Sequence, residues 1–272
     1  MKLKIGFNSV WNNTPAQETT QPEYQPTIDP RPSVVQVRFP DWSKDLAYYN
    51  DRFDLKAGDL VYVDGKLAGK RGRVTQVNYN FKIKRSDYQQ VIAVADTRVT
   101  GRLYYADSHL VAFEPSVLPA AQVRSWFLPP ISQDEDVVSG SDGTDFPLSD
   151  LKQMNIPTAV AQRGHEYYLN NRVRYLCVQG DRGYAIVEGS RPYEVEFVYR
   201  NGRISALTCD CYCSGGCKHE FAALLQLQET LELIETRYAD EYARTDRFAA
   251  IFKPTLFEYA VDGQTAGSLT LN

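Results

Sequence analysis

Residues 209–219 read Cys-Asp-Cys-Tyr-Cys-Ser-Gly-Gly-Cys-Lys-His, so four thiols and an imidazole fall within eleven positions. Thiolate sulfur and imidazole nitrogen are the donors that tetrahedral zinc prefers, at metal–sulfur distances of about 2.3 Å. Cysteines at C-x-C spacing on a strand end cannot enclose an ion alone. The Ser214-Gly215-Gly216 turn therefore has to fold Cys217 and His219 back over it, a reversal that glycine makes sterically cheap. Five donors, Cys209, Cys211, Cys213, Cys217 and His219, compete for four places. With His219 in the first turn of a helix, the metal would anchor that helix to the preceding sheet. Closed-site spacing favours a structural ion over a catalytic one, which keeps a position open. Glu220 next to His219 lacks the second histidine, four residues on, of a metalloprotease helix, and suits first-turn electrostatics instead.

Five cysteines leave one unpaired in any all-disulfide scheme, and their crowding around a histidine speaks for a metal in a reducing cytoplasm. The fifth, Cys177, lies in an apolar run and is expected to be packed. The longest aliphatic or aromatic runs, such as Val91 to Ala95 and Phe221 to Leu225, are far below the ~18 residues of a membrane span. With 43% hydrophobic and 24% charged residues, the 272-residue chain has globular composition and length for one or two domains.

The texture divides the chain into five parts. Residues 1–32 form an extended N-terminal arm, polar and proline-rich; its Asn12-Asn13-Thr14 sequon is incidental in a cytoplasmic chain. Residues 33–130 show short alternating runs punctuated by Gly58, Gly65, Gly69 and Gly72 and read as a mostly β, barrel-like domain. The clearest alternation sets Val77, Tyr79, Phe81 and Ile83 against Asn78, Asn80, Lys82 and Lys84. Residues 131–152, with Asp134-Glu135-Asp136, read as an acidic linker without calcium-loop spacing.

In residues 153–230 a helix opens near Asn155 and Pro157 and ends at Asn170-Asn171. Strands follow over Val173 to Val178, Tyr184 to Val187, Tyr193 to Tyr199 and Ile204 to Thr208, the last two joined by Asn201-Gly202, a hairpin dipeptide. Residues 231–272 read as the continuation of a long helix, interrupted at Lys253-Pro254, and a tail. The expected class is α+β.

The cluster and its surroundings resemble the SWIM-type zinc finger, whose pattern is C-x-C, a variable spacer and C-x-H. Cys209-x-Cys211, Cys217-x-His219 and the apolar helix Phe221-Ala222-Ala223-Leu224-Leu225 carry the likeness. Upstream, Arg163-Gly164-His165-Glu166-Tyr167-Tyr168, Gly189-Ser190-Arg191-Pro192-Tyr193-Glu194-Val195 and Asn201-Gly202-Arg203-Ile204 are similar to the helix and strands before such fingers. The resemblance spans about residues 155–230 and implies Cys209, Cys211, Cys217 and His219 as zinc ligands, with Cys213 as the alternative thiol. Two departures are Tyr212 where the family often has proline, and a five-residue spacer between Cys211 and Cys217. The family implies DNA-binding or protein-interaction roles.

Charge is unevenly spread beneath a net −4: residues 1–130 carry +4 and residues 131–155 carry −5. No acidic residue stands between Gly65 and Ser86, where Lys66, Lys70, Arg71, Arg73, Lys82, Lys84 and Arg85 gather. Such a strip suits phosphate tracking and makes nucleic acid, DNA before RNA, the first candidate partner. Gly58-Asp59-Leu60-Val61-Tyr62-Val63 with Gly65, Gly69 and Gly72-Arg73-Val74 resembles the KOW signature of small barrels, and equally the DNA-end-binding N-terminal domain of primosomal helicases. No P-loop or Rossmann fingerprint is present, and no catalytic set is evident. His109 and His165 are expected to be packed or at the surface. The expectation is a non-enzymatic, zinc-binding protein that contacts nucleic acid. The alternative is an adaptor that recruits a helicase-like or other DNA-processing enzyme through the finger.

Overall fold

The computed structural model describes residues 3–6, 30–131, 138–141, 143–213, 215–261 and 268–271. The first half carries β1 (Leu3–Gly6), β2 (Ser33–Arg38), β3 (Leu46–Asn50), β4 (Leu60–Val63), β5 (Arg71–Asn78), β6 (Val91–Ala95), β7 (Thr100–Ala106), β8 (His109–Ala112) and helix α1 (Ala120–Phe127). Next come β9 (Asp145–Pro147), α2 (Thr158–Leu169), β10 (Val173–Gln179), β11 (Arg182–Glu188), β12 (Pro192–Arg200) and β13 (Arg203–Cys209). The chain continues with α3 (Lys218–Arg237), α4 (Ala239–Thr245), β14 (Arg247–Phe252), α5 (Lys253–Leu256) and β15 (Ser268–Leu271). The fold is α+β, and no described helix is long and apolar enough to cross a membrane.

Five strands form an antiparallel sheet in the order β3-β2-β5-β4-β6. Its two edges meet, because the Tyr49 N–H donates to the Gln89 carbonyl at 2.9 Å and Tyr49 pairs with Gln90 in a parallel bridge. Val35, Val37, Val61, Val63, Val74 and Val91 fill its interior. The alternation around residue 77 marks β5, but the strand stops at Asn78 instead of running to Ile83. Its ladder partner supplies the reason: Asn78 pairs with Val34 near the start of β2, and Pro30 and Pro32 just upstream have no N–H to extend the ladder. Lys82 and Lys84 thus sit in a loop, not on a strand face with Asn78 and Asn80.

The second sheet has ten strands in the order β1-β15-β7-β8-β14-β10-β11-β12-β13-β9, with β15–β7 the parallel pair. Alternate residues of its central strands feed two cores. Leu176, Val178, Phe248 and Ala250 face the core under α2 and α3, whereas Tyr175, Cys177, Ala249 and Ile251 face the core that holds Trp126 and Leu256. Strands covered on both faces lose the polar half of their alternation. That is why Phe248-Ala249-Ala250-Ile251 reads as part of a long helix in the sequence: the expected helix in fact ends at Arg237, a short α4 follows, and β14 enters the sheet between β8 and β10.

Because β7 and β8 join this large sheet, the five-stranded unit spans residues 33–95, short of the expected limit at 130. The expected acidic linker is also partly built in. Asp134, Glu135 and Asp136 lie outside the described residues, but β9 pairs with β13, and Phe146, Leu148, Leu151 and Met154 are buried. Four apolar side chains within nine residues supply the burial that the neighbouring charges conceal in composition. Of the N-terminal arm, residues 3–6 form β1, which pairs with β15, and residues 7–29 lie outside the described residues.

The two sheets touch through α1 and a π-helical turn at Phe257–Val261. Tyr62 Oη donates to the Ser125 carbonyl at 3.0 Å. Arg71 donates to the Trp126 carbonyl and lies over the Tyr259 ring, 4.5 Å from its centroid.

Candidate metal centre

Two elements that each end at the same place create the site. The β12–β13 hairpin turns at Asn201-Gly202, both residues at positive φ (51° and 75°), as a type I′ connection requires. Its far end delivers Cys209, opposite Val195. Asp210 clamps that end: its carboxylate accepts from Arg191 Nη1 at 2.7 Å and from the Glu194 N–H at 2.8 Å. Cys217 caps α3, its sulfur accepting the Glu220 N–H at 3.4 Å while Glu220 Oε2 accepts the Cys217 N–H at 2.6 Å. This reciprocal capping fixes where Cys217 and His219 leave the chain. The expected role of glycine in the reversal takes a different form here, since Gly216 is required by the approach of Ile156, whose side chain a Cβ would strike, and not by a positive φ. Gly164 of α2 likewise admits α3, because a Cβ there would lie 2.9 Å from the Lys218 carbonyl oxygen.

The donor atoms of Cys209, Cys211, Cys217 and His219 all lie within 4.8 Å of one another, an arrangement that can hold a metal ion. Cys209 Sγ is 3.8 Å and Cys217 Sγ 3.7 Å from His219 Nδ1. Tetrahedral bonds of about 2.3 Å to sulfur and 2.0–2.1 Å to nitrogen would set such edges at roughly 3.6 Å, so the donor spacing fits a tetrahedral ion. Cys213, the alternative ligand, is exposed and stands outside this group.

Cys217 and His219 are buried, and Cys209 and Cys211 are half-buried. The His219 ring is sandwiched edge and face. Tyr193 stacks on it at 4.0 Å and 17°, Tyr167 meets it edge-on at 5.6 Å, Arg191 lies 4.5 Å over Tyr193 and Lys218 lies 4.5 Å over Tyr167. His219 Nε2 is buried with no hydrogen-bond partner among the described residues, so this aromatic stack, in place of a hydrogen bond, fixes the ring plane that presents Nδ1 to the sulfurs.

Electrostatics without a cation oppose ionisation here. A hydrogen bond with Cys209, then burial, raises the Cys217 thiol, burial pushes Cys211 up to about 12, and burial lowers His219 to about 4. A bound cation reverses the direction for the thiols, because coordination favours thiolate, while a neutral histidine is already the ligand form.

The basic residues do not form one strip. Lys66, Lys70, Lys82, Lys84 and Arg85 are exposed, Lys70 lying 3.7 Å from Asp41 and Arg85 lying 4.4 Å over the Tyr49 ring. Arg71 and Arg73 are half-buried and bind the carbonyls of Trp126 and Gly58, respectively. Cys177 is buried in the second core. His109 is buried, with Nε2 2.9 Å from the Val173 carbonyl and Nδ1 2.9 Å from Ser108 Oγ. Neither the Ser108 partner of His109 nor the ring stack and the Asp210 clamp is among the features expected from the sequence, although Ser108 adjoins His109 and Arg191, Tyr193 and Asp210 stand within twenty residues of one another.

The sequence matches no protein-family model, and no curated protein or solved structure matches it.

Proposed function

We propose that the chain is a non-enzymatic, zinc-stabilised binding protein that contacts nucleic acid, DNA in preference to RNA. The observation that carries the reading is the convergence of Cys209, Cys211, Cys217 and His219 at the junction of β13 and α3. Three thiolates and an imidazole suit zinc, and four protein donors fill a tetrahedral shell, which favours a structural ion. Cys209-x-Cys211 at a strand end and Cys217-x-His219 opening a helix support assignment to the SWIM-type fingers. A site that works through reduced thiols suits the cytoplasm. On the other sheet, the meeting of β3 and β6 at Tyr49 supports a small-barrel reading, and exposed Lys66, Lys70, Lys82, Lys84 and Arg85 are available to phosphates. The adaptor reading has its own support in Tyr212, 100% exposed between Cys211 and Cys213, where a protein partner could bury it.

The test joins elemental analysis to binding. About one zinc per chain is expected, lost in Cys217→Ser and His219→Ala, and affinity for duplex DNA should fall steeply with salt, with a shallower slope in a Lys82→Ala/Lys84→Ala variant. Full zinc retention by both ligand variants would overturn the ligand set. Absence of binding to DNA or RNA at low salt would overturn the nucleic-acid reading and leave the adaptor.

A further inference from the structure

A cleft of about 310 Å3 separates the outer face of the five-stranded sheet from the π-helical turn. Strand parity builds its wall: Arg71, Arg73 and Thr75 alternate with inward Gly72 and buried Val74, so three successive odd positions of β5 share one face. Arg38 joins them from β2, as the direct cross-strand partner of Arg73. Like charges directly opposite each other in a ladder are destabilising, and this pair receives only partial relief within the protein. Asp45 accepts from Arg38 Nε at 2.6 Å, and the Gly58 carbonyl accepts from Arg73 Nη1 at 2.9 Å. The other guanidinium nitrogens of both residues have no acceptor among the described residues. Arg71 is braced by the Trp126 carbonyl and the Tyr259 ring. Glu258 is the carboxylate in the lining, against three arginines.

We propose that this cleft is a phosphate subsite, in which a phosphoryl group seats between Arg38 and Arg73 beside Arg71. Guanidinium forks match phosphate oxygens in pairs, and an anion there offsets the Arg38–Arg73 repulsion. The phosphate comes either from a nucleic-acid backbone, in which case the subsite rests on the reading above, or from a small phosphorylated ligand, in which case it stands alone. The volume is at the lower end for small-molecule sites, enough for a group of nucleotide size.

Calorimetric titration of inorganic pyrophosphate, and separately of a 5′-phosphorylated oligothymidylate, into the zinc-loaded full chain tests this. Arg38→Gln and Arg73→Gln are expected to weaken pyrophosphate binding about tenfold or more, as charge-assisted hydrogen bonds are lost. Glu258→Gln is expected to tighten it severalfold, a gain that a misfolded variant could not give. Lys82→Ala/Lys84→Ala should leave pyrophosphate unaffected. Competition by the oligonucleotide would assign the phosphate to nucleic acid, and pyrophosphate binding without competition would assign it to a small ligand. No saturable pyrophosphate binding, or binding indifferent to both Arg38→Gln and Glu258→Gln, would overturn the subsite. Absence of saturable pyrophosphate binding, together with oligonucleotide binding that survives Arg38→Gln but falls in the lysine variant, would remove the subsite and leave the nucleic-acid reading standing.

Discussion

His109 shows how far a single side chain can be understood from its surroundings. The Val173 carbonyl can only accept, so Nε2 carries the proton and Nδ1 accepts from Ser108 Oγ. Burial disfavours the imidazolium and lowers the histidine to about 4 from 6.5. Between these values the unfolded chain binds a proton that the folded chain refuses. The contribution of His109 is therefore complete above pH 6.5 and is lost as pH falls toward 4, amounting to about 3 kcal/mol over that window. Urea denaturation from pH 7 to pH 4.5 should show this acid-side loss, and His109→Gln should flatten it. An unchanged slope in the variant would mean that other groups carry the pH dependence. At this scale the sequence was most legible where chemistry is local. Four of the five clustered donors converge as their spacing suggested, because C-x-C and C-x-H bring donors together through short backbone paths. Tyr193, Tyr167 and Arg191 were not legible as a stack, because their meeting with His219 depends on how α2 and the β12 strand pack against α3.

Among elements, an ion held by Cys209, Cys211, Cys217 and His219 would link the end of β13 to the start of α3, which otherwise meet through the Cys217–Glu220 capping box and the core beneath. Apparent zinc-binding energies of about 10–16 kcal/mol in finger peptides indicate how strongly such a link can matter. Chelation should thus increase amide exchange over the end of β13 and the first turns of α3, while the sheet of residues 33–95, whose core is separate, keeps its protection. Equal loss in both regions on hydrogen-exchange mass spectrometry would contradict a local role for the ion. The hairpins β10–β13 were legible because turn residues punctuate them and β12 and β13 keep a half-buried pattern, even though β10 is covered on both faces. β14 was not: its residues are buried on both faces, and neither period 2 nor period 3.6 is visible in Phe-Ala-Ala-Ile.

For the whole molecule, β14 is the strand that joins β8 to β10 and so unites the two halves of the large sheet. Its Arg247, buried, donates to the carbonyls of Glu114, Val117 and Leu118 and so also fixes the segment leading into α1. A chain ended after Thr245 should lose the cooperative unfolding transition of the large sheet and remain sensitive to protease in β7, β8 and α1, with the 33–95 unit still protected. Retention of a single native-like transition by the truncated chain would show that β14 is dispensable. The domain plan was legible only in part, because a strand pairing made across more than a hundred residues leaves no local mark.

The late position of β14 also orders events during synthesis. β8 emerges about 135 residues before its partner, so at ~5–20 residues per second its open edge waits on the order of ten seconds on the ribosome. During that interval the five-stranded unit can already close on itself, while β7 and β8 present unpaired backbone to whatever is nearby. A translational pause before residue 247 would extend the interval, making the rate of elongation through this stretch a determinant of how much chain reaches the native sheet.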